Sequence, residues 1–374
     1  MAAGQILRLI HKARRVLDVP DFMQYLEFQD LRRAYYAEFW QRAAMAANAE
    51  CSPWYDGYLR IRRGRQVAIV KGGSLRLDDH LTLQIFGNKL LTYKLLEEQG
   101  CTLPRHMPFT RATLRDAGHF LEQTKGLAVV KPVSGTGGGA GVSTGIASYG
   151  ALKRAAWQAA KFDTNLMIEE QIEGDSYRLL YLDGAMIDAV KRDPPKLKGD
   201  GVKSIAELVK AENRRRIEQR PYSALSPLRL DPDAMNFLKS AGRTPKSRPM
   251  KGETITVKRA VNENTSAENH RVYNVHGATA DLGTKLARNL GIKLMGLDII
   301  AKDISSPLTR DNGVIGEVNT TPGLHHHDLT AAPAPGNIAA RIIKHMFSTK
   351  HGVMIVPEEE IAALPAPPTE KAAG

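Results

Sequence analysis

Apolar and polar positions change rhythm several times along this chain. Residues 21–47 (DFMQYLEFQDLRRAYYAEFWQRAAMAA) carry a helical period, and YLRIRRGRQVAIVKGG (58–73) reads as a short strand pair. Residues 1–80 are therefore expected to form an accessory N-terminal unit. In GNKLLTYKLLEEQG (87–100), Leu90, Leu91 and Leu95 mark one apolar stripe, and Gly100 supplies a stop. An extended stretch over 101–110 and a short helix over 111–126 come next. LAVVKPV (127–133) reads as a strand, followed by a glycine loop and a second strand, GVSTGIA (141–147).

Ser148 is a good N-cap for a helix in which Leu152, Ala155, Ala156 and Ala159 share a face. Residues 165–172 read as a strand, and 176–192 as two strands turning at Asp183-Gly184. A helix is expected over 204–216, a strand over 253–261, a helix over 277–292, and strands over 294–303 and 313–323. From Val356 the chain is rich in Pro, Ala and Glu, and disorder is expected there.

The sequence has 374 residues, 43% of them hydrophobic, enough for two or three domains or lobes with a substantial core. Its apolar runs are too short to span a bilayer. MAAGQILRLIHKARR lacks the apolar block and cleavage site of a secretory signal. Cys51 and Cys101 stand fifty positions apart, which excludes a cysteine zinc cluster or a disulfide framework. A cytoplasmic protein with no membrane partner is expected. The net charge of +12 favours anionic partners, and much of the excess lies in residues 210–260. That stretch reads either as a solvated basic insertion or as a surface for an acidic chain. It has few aromatics and no nucleic-acid-binding module, so nucleic acid is not expected.

Five glycines fall within residues 135–141. A P-loop needs Gly-Lys-Ser/Thr at the end of the loop, whereas Lys131 precedes these glycines. Gly135, Gly137 and Ala140 satisfy a dinucleotide fingerprint, but a strand follows where the pyrophosphate-binding helix should begin. What remains is a hairpin, either a mobile surface one or a lid whose N–H groups close over phosphates beside Lys131. Late in the chain GLDII presents Asp298, and GEVNTTPG presents Glu317 and Asn319, which share a strand face. Such hard oxygen donors suit Mg²⁺ together with phosphate.

Taken in order, GNKLLTYKLLEEQG, VVKPVSGTGGGAGV, MIEEQIEGDSYRLLYLDG, KLKGDGVKSIAELV, LRLDPDAMNFLKSAGRTP, GLDIIAKDIS and GVIGEVNTTPGLHHH resemble the ATP-grasp carboxylate–amine ligases. Within that family they resemble the ATP-grasp region of cyanophycin synthetase, over residues 81–330. The resemblance implies an ATP-grasp fold in which two α+β lobes clamp ATP. Residues 81–346 would form it, with a lid lobe over about 115–175 and a metal-binding lobe over about 176–346 that carries a basic insertion at 210–250; residues 347–374 would be a tail.

The resemblance also implies roles. Lys89 and Lys131 would serve the phosphates and the adenine side, with Ser134, Gly135, Gly137, Gly138, Gly139 and Gly141 as the lid. Glu169, Glu170, Gln171 and Ile172 would form the purine hinge, and Asp175 would hold the ribose. Asp298, Glu317 and Asn319 would bind Mg²⁺, with Mn²⁺ as the alternative. Arg178, Arg192, Arg259 and Asn262 would face the reacting carboxylate and the transferred phosphoryl group. The implied reaction couples a carboxylate to an amine through an acyl phosphate, with ADP released and no protein nucleophile needed.

The implied partners are small-molecule carboxylate and amine substrates, amino acids or a short peptide, and a homo-oligomer stays open. A ligase acting on a protein or peptide terminus, or an ATP-binding regulator without activity, are the alternatives. The chain ends soon after Asn319 without the Mur-ligase-like domain of the polymerase, and its lid lacks a histidine common there. Alternating polymerisation of aspartate and arginine is therefore not expected. His325, His326 and His327 follow the metal motif, either as substrate contacts or as plain loop residues.

Overall fold

In the computed structural model, residues 19–136, 139–332 and 336–357 are described. The first helix, α1 (Val19–Ala46), leads into strands β1 (Glu50–Tyr55), β2 (Tyr58–Arg63) and β3 (Gln66–Lys71). Two short-range helices follow, α2 (His80–Phe86) and α3 (Lys89–Glu98). Next come β4 (His106–Phe109), α4 (Leu114–Gln123), β5 (Ala128–Pro132), β6 (Ser143–Ile146), α5 (Tyr149–Ala159) and β7 (Leu166–Glu170). The central hairpin is β8 (Asp175–Leu182) and β9 (Ala185–Arg192), followed by β10 (Lys196–Lys198), α6 (Ile205–Glu218), α7 (Pro232–Ser240) and β11 (Thr254–Thr256). The chain closes with β12 (Asn269–Arg271), α8 (Gly277–Asn289), β13 (Leu294–Ala301), β14 (Gly313–Asn319), α9 (His325–Asp328), α10 (Ile338–Thr349) and β15 (Val353–Ile355).

The strands form antiparallel sheets ordered β1-β2-β3-β15, β4-β7-β5-β6 and β12-β9-β8-β13-β14, with β10 and β11 as a separate pair. This mixture is the expected α+β class. Local chemistry explains several element starts. The Asn88 side chain accepts from the amides of Leu90 and Leu91 at 3.1 Å and so begins α3 at Lys89. Ser148 caps α5, and Ser204 with Glu207 forms a reciprocal capping box on α6. Asp183 and Gly184 both adopt positive φ, 50° and 78°, as the tight β8–β9 turn requires.

The five-stranded sheet is covered on both faces. On one face Leu180, Leu182 and Leu294 pack with Tyr36, Phe39 and Trp40 of α1 and Ile342, Ile343 and Phe347 of α10. On the other, Leu179, Leu297 and Ile299 pack with Tyr93 and Leu96 of α3 and with Leu286 and Ala287 of α8. The β4-β7-β5-β6 sheet has its own core with α4 and α5, and α6, α7 and β11 form another.

Three local expectations change. The N-terminal strand pair is part of a four-stranded sheet, because the edge of β3 is covered by β15 from the far end of the chain. The boundary at 346/347 falls inside α10, whose apolar face packs on α1. The strand expected over 253–261 is limited to β11, since from Val257 onward the backbone is held in loops by Pro195 and Asp233. Among the described residues no helix is long and apolar enough to cross a membrane. Both cysteines are free.

Candidate functional site

The central sheet presents a row of charge across three strands. Antiparallel register sets Arg178 of β8 opposite Asp298 of β13, and Asp298 opposite Glu317 of β14. A bulge at Gly316 makes this row: Ile299 pairs with Ile315 while Asp298 pairs with Glu317, two residues on β14 against one on β13. Ile315 thus turns into the apolar core, and Glu317 with Asn319 turns to the face of Asp298. Arg178 grips Asp298 through both Nε and Nη2 at 2.6 Å, and Arg192 of β9 adds Nη2 to Asp298 Oδ2 at 3.0 Å.

All three side chains are nearly buried. Burial alone would raise the Asp298 carboxyl, but the two guanidiniums hold it below the ordinary carboxylate range. Burial works against Arg178, yet its fork on Asp298 keeps it firmly protonated. Arg192 is lowered to about 10 by burial and by Arg178 alongside, because it has only part of a shared carboxylate. Among the described residues, its Nε and Nη1 are buried with no partner, and so is Nδ2 of Asn319. A native fold rarely leaves such groups unmatched, so this face has capacity for an anion and a polar ligand.

The two predicted lysines flank this face. Lys89, at the start of α3, has Nζ 3.7 Å from Glu317 Oε1. Lys131, on β5, sits 2.8 Å from Glu169 Oε1 of β7 and 3.3 Å from the Tyr93 hydroxyl. That hydroxyl donates to Glu169 Oε2 at 2.9 Å and lies 3.0 Å from the Gly316 carbonyl, linking the two sheets. Burial, then Glu169, lifts the Tyr93 phenol well above its usual range, so it stays a neutral donor. Tyr93 carries no signal in the sequence beyond an ordinary position on an amphipathic helix.

The remaining expected residues divide. Gly139 and Gly141 have φ of 75° and 79°, and a Cβ on either would lie 2.7 Å from Asn262 Nδ2 or the Phe162 ring. Only glycine allows the loop to lie this close. Gly135 also has positive φ, 73°. Gly137 and Gly138 lie outside the described residues. Ser134 is turned to Asp163, to which its amide and hydroxyl donate at 2.9 and 2.7 Å. Glu170 pairs with Arg310, and Gln171 accepts from the Gly145 amide at 2.7 Å. With Ile172 they line a cavity of about 450 Å³ at the end of β7. Asp175 pairs with Lys191 at 2.8 Å, three residues from Arg178 and hence on the opposite strand face. Arg259 is exposed, whereas its neighbour Lys258 is buried between Asp231 and Glu263.

The three histidines lie in α9, all buried. His325 Nδ1 is 3.1 Å from the Tyr36 hydroxyl, and His327 Nδ1 is 2.6 Å from Asp188, which also pairs with Arg271. Burial, with Arg178 and Arg192 among the nearby charges, holds His325 and His326 well below the usual histidine range. His327 is lowered by burial despite Asp188. These are neutral imidazoles packed behind the arginines.

No family model matches the chain. The cyanophycin synthetase of Trichormus variabilis is 28% identical over 275 residues, 71% of this chain and 30% of that protein. The glutathione biosynthesis bifunctional protein GshAB of Streptococcus agalactiae serotype V is 27% identical over 312 residues, 80% of this chain and 41% of that protein. The chain spans less than half the length of these curated relatives. A bifunctional glutathione synthetase of known crystal structure from Pasteurella multocida covers 82% of this chain with 43% of its own, at TM-score 0.49 and 24% identity. Over most of its described length the chain is therefore similar to cyanophycin synthetases and bifunctional glutathione-biosynthesis proteins, as the order of its motifs implies.

Proposed function

We propose that this protein is an ATP-dependent ligase of the ATP-grasp type, joining a carboxylate to an amine with release of ADP and phosphate. The observation that carries the reading is the Arg178–Asp298–Arg192 cluster with its unmatched N–H groups, set beside Glu317 and Asn319 and flanked by Lys89 and Lys131. Two buried guanidiniums on one carboxylate leave a positive excess where negative charge would accumulate.

The donor set also fits a Mg²⁺ ion. Asp298 Oδ1 accepts one hydrogen bond and Oδ2 two, which leaves a lone pair of the roughly four a carboxylate offers. Glu317 is partly exposed beside it, and the unmatched Asn319 amide can turn its oxygen to an ion. Among the described residues no group of three His, Cys, Asp or Glu side chains could hold a metal. The ion would offset phosphate charge when bound.

The protein's own groups then position and screen. Arg178 and Arg192 hold the attacking carboxylate and the transferred phosphoryl oxygens, and Lys131 and Lys89 meet the phosphates from either side. The substrate oxygen attacks the γ-phosphorus, ADP leaves, and the acyl phosphate keeps its negative charge against the arginines. Amine attack then forms the C–N bond as the C–O bond to phosphate breaks, and the ammonium proton is lost to solvent or phosphate. The glycine loop supplies backbone N–H groups over the phosphates. The cavity bordered by Glu170, Gln171 and Ile172 receives the adenine.

Coupled measurement of ADP release against a panel of amino acids and dipeptides tests the reading. Substrate-stimulated ADP formation is expected, and Glu317→Ala should lower it about 100-fold or more with the melting temperature little changed. Unchanged turnover would overturn the metal assignment. Tight Mg-ATP binding with no stimulation by any pair would leave a nucleotide binder.

A further inference from the structure

Strand β6 is the outer edge of the sheet that carries Lys131, and a residue 89 positions later in the chain holds it there. Asp233, in the first turn of α7, accepts from the Thr144 amide at 3.2 Å, from the Thr144 hydroxyl, and from the Ala260 amide at 3.0 Å. The carboxylate is 1% exposed, so one buried acceptor serves three donors from two separate segments. Removing it would leave those donors unmatched in a place water barely reaches. The neighbouring Gly145 amide is tied to Gln171 at the end of β7, whereas Asp233 is a tie from the insertion.

The insertion behind Asp233 is stiff. Leu208 of α6, Leu238 of α7 and Val257 share a core. The buried Lys258 pairs with Asp231, which caps α7, and with Glu263 at 3.3 Å. Arg216, also buried, donates to the carbonyls of Ser226 and Glu263. Part of the basic character of this stretch is therefore spent internally, on holding its own backbone in shape.

Its far end is fastened to the central sheet. Asn264 Nδ2 donates to the Asp193 carbonyl at 3.1 Å and to Asn269 Oδ1 at 2.7 Å, and Asn269 of β12 is in register with Arg192 of β9. At the near end Ser143, beside Thr144, is in register with Val130, beside Lys131. A strap of packed and bonded residues thus runs from the strand next to Arg192 to the strand next to Lys131.

We propose that Asp233 is a positioning residue for nucleotide binding: through β6 it fixes the strand of Lys131 relative to the arginine cluster on the central sheet. The assignment rests on the ligase reading, which places the ATP phosphates between those charges. β5 lies between β7 and β6, and with β6 released it keeps one firmly held neighbour. The attraction of an ammonium for phosphate depends steeply on distance in a poorly solvated site, and charges fixed in advance need no rearrangement when the ligand arrives.

Isothermal titration of the full chain with Mg-ATP, without carboxylate or amine, tests this as a double-mutant cycle. Asp233→Ala should weaken binding about tenfold, and Thr144→Val, which keeps the amide, about threefold. Thr144→Ser restores the hydroxyl and should restore the affinity. Because Asp233 acts through Lys131, adding Asp233→Ala to Lys131→Met should cost less than about twofold more. Melting curves identify the variants that are folded, and should Asp233→Ala fail to fold, Thr144→Val completes the same cycle with Lys131→Met.

Additive losses in the cycle would overturn the proposal. So would a folded Asp233→Ala variant that melts earlier yet binds Mg-ATP as tightly as the unmodified chain, or a Thr144→Ser variant as weak as Thr144→Val. Failure of the ligase reading looks different. If the unmodified chain binds no Mg-ATP, both readings fall; if Mg-ATP binds and the cycle is coupled, but no carboxylate–amine pair stimulates ADP release, the ligase reading alone fails.

Discussion

Two buried charge clusters face one another across the sheets, and they are balanced differently. In Lys131–Glu169–Tyr93 one cation meets one carboxylate, the second carboxylate oxygen takes the phenol, and all three groups are matched. In Arg178–Asp298–Arg192 two cations share one carboxylate, and two N–H-bearing atoms of Arg192 go without a partner. The first arrangement is complete as it stands. The second leaves one positive charge and unused donors in a desolvated place, which is costly unless something anionic binds there. On the proposed reading, the contrast makes the central sheet the place of chemistry and the lid-side cluster a brace that holds Lys131 at its edge.

The largest test of this contrast removes its shared acid. Asp298→Ala leaves two buried guanidiniums without a carboxylate and should lower the unfolding free energy by about 3–5 kcal/mol in urea titration, with ADP release lost. A loss below about 1 kcal/mol would mean that the arginines are already compensated elsewhere. Lys131→Met should cost less, about 1–3 kcal/mol, because Glu169 keeps the Tyr93 donor. The same variant should weaken Mg-ATP binding, read by titration; unaltered affinity would confine Lys131 to a structural role.

The smallest effect comes from the histidines behind the arginines. Their folded values lie below the unfolded value of about 6.5, so the unfolded chain binds more protons between the two. Their contribution to stability is whole above about pH 6.5 and is lost as pH falls through the depressed folded values. Each adds a slope of at most about 1.4 kcal/mol per pH unit. Melting temperature measured from pH 7.5 to 5 should therefore fall more steeply in the unmodified chain than in His326→Leu. Parallel curves would place the acid sensitivity elsewhere.

Much of the fold can be read from periodicity alone, and the failures have physical causes. The α3 and α5 helices and the β8–β9 hairpin carry caps and turn residues next to their apolar stripes, so local chemistry announces them. The partner of β3 cannot be read locally, because β15 is three residues long and pairs Val353 with Ala68, far away along the chain. Site residues divide in the same way. Asp298, Glu317 and Asn319 stand out as oxygen donors in apolar strands, whereas Tyr93 looks like any helix residue. Lys258 and Arg259 show the limit most directly, since neighbours of like charge end up one buried and one exposed.

By itself the sequence determined the alternation that makes Glu317 and Asn319 neighbours on one face, the glycines that permit a close-lying loop, and the lysine ahead of them. These are local properties, settled by bond geometry within a few residues. Tertiary structure alone decided that Asp298 is shared by two arginines, that a bulge at Gly316 brings Glu317 beside it, and that part of the basic insertion turns inward to wall a cavity with α1. Those outcomes depend on which distant strands pair and which charges are buried together, and energies of that kind exist only once the chain has closed on itself.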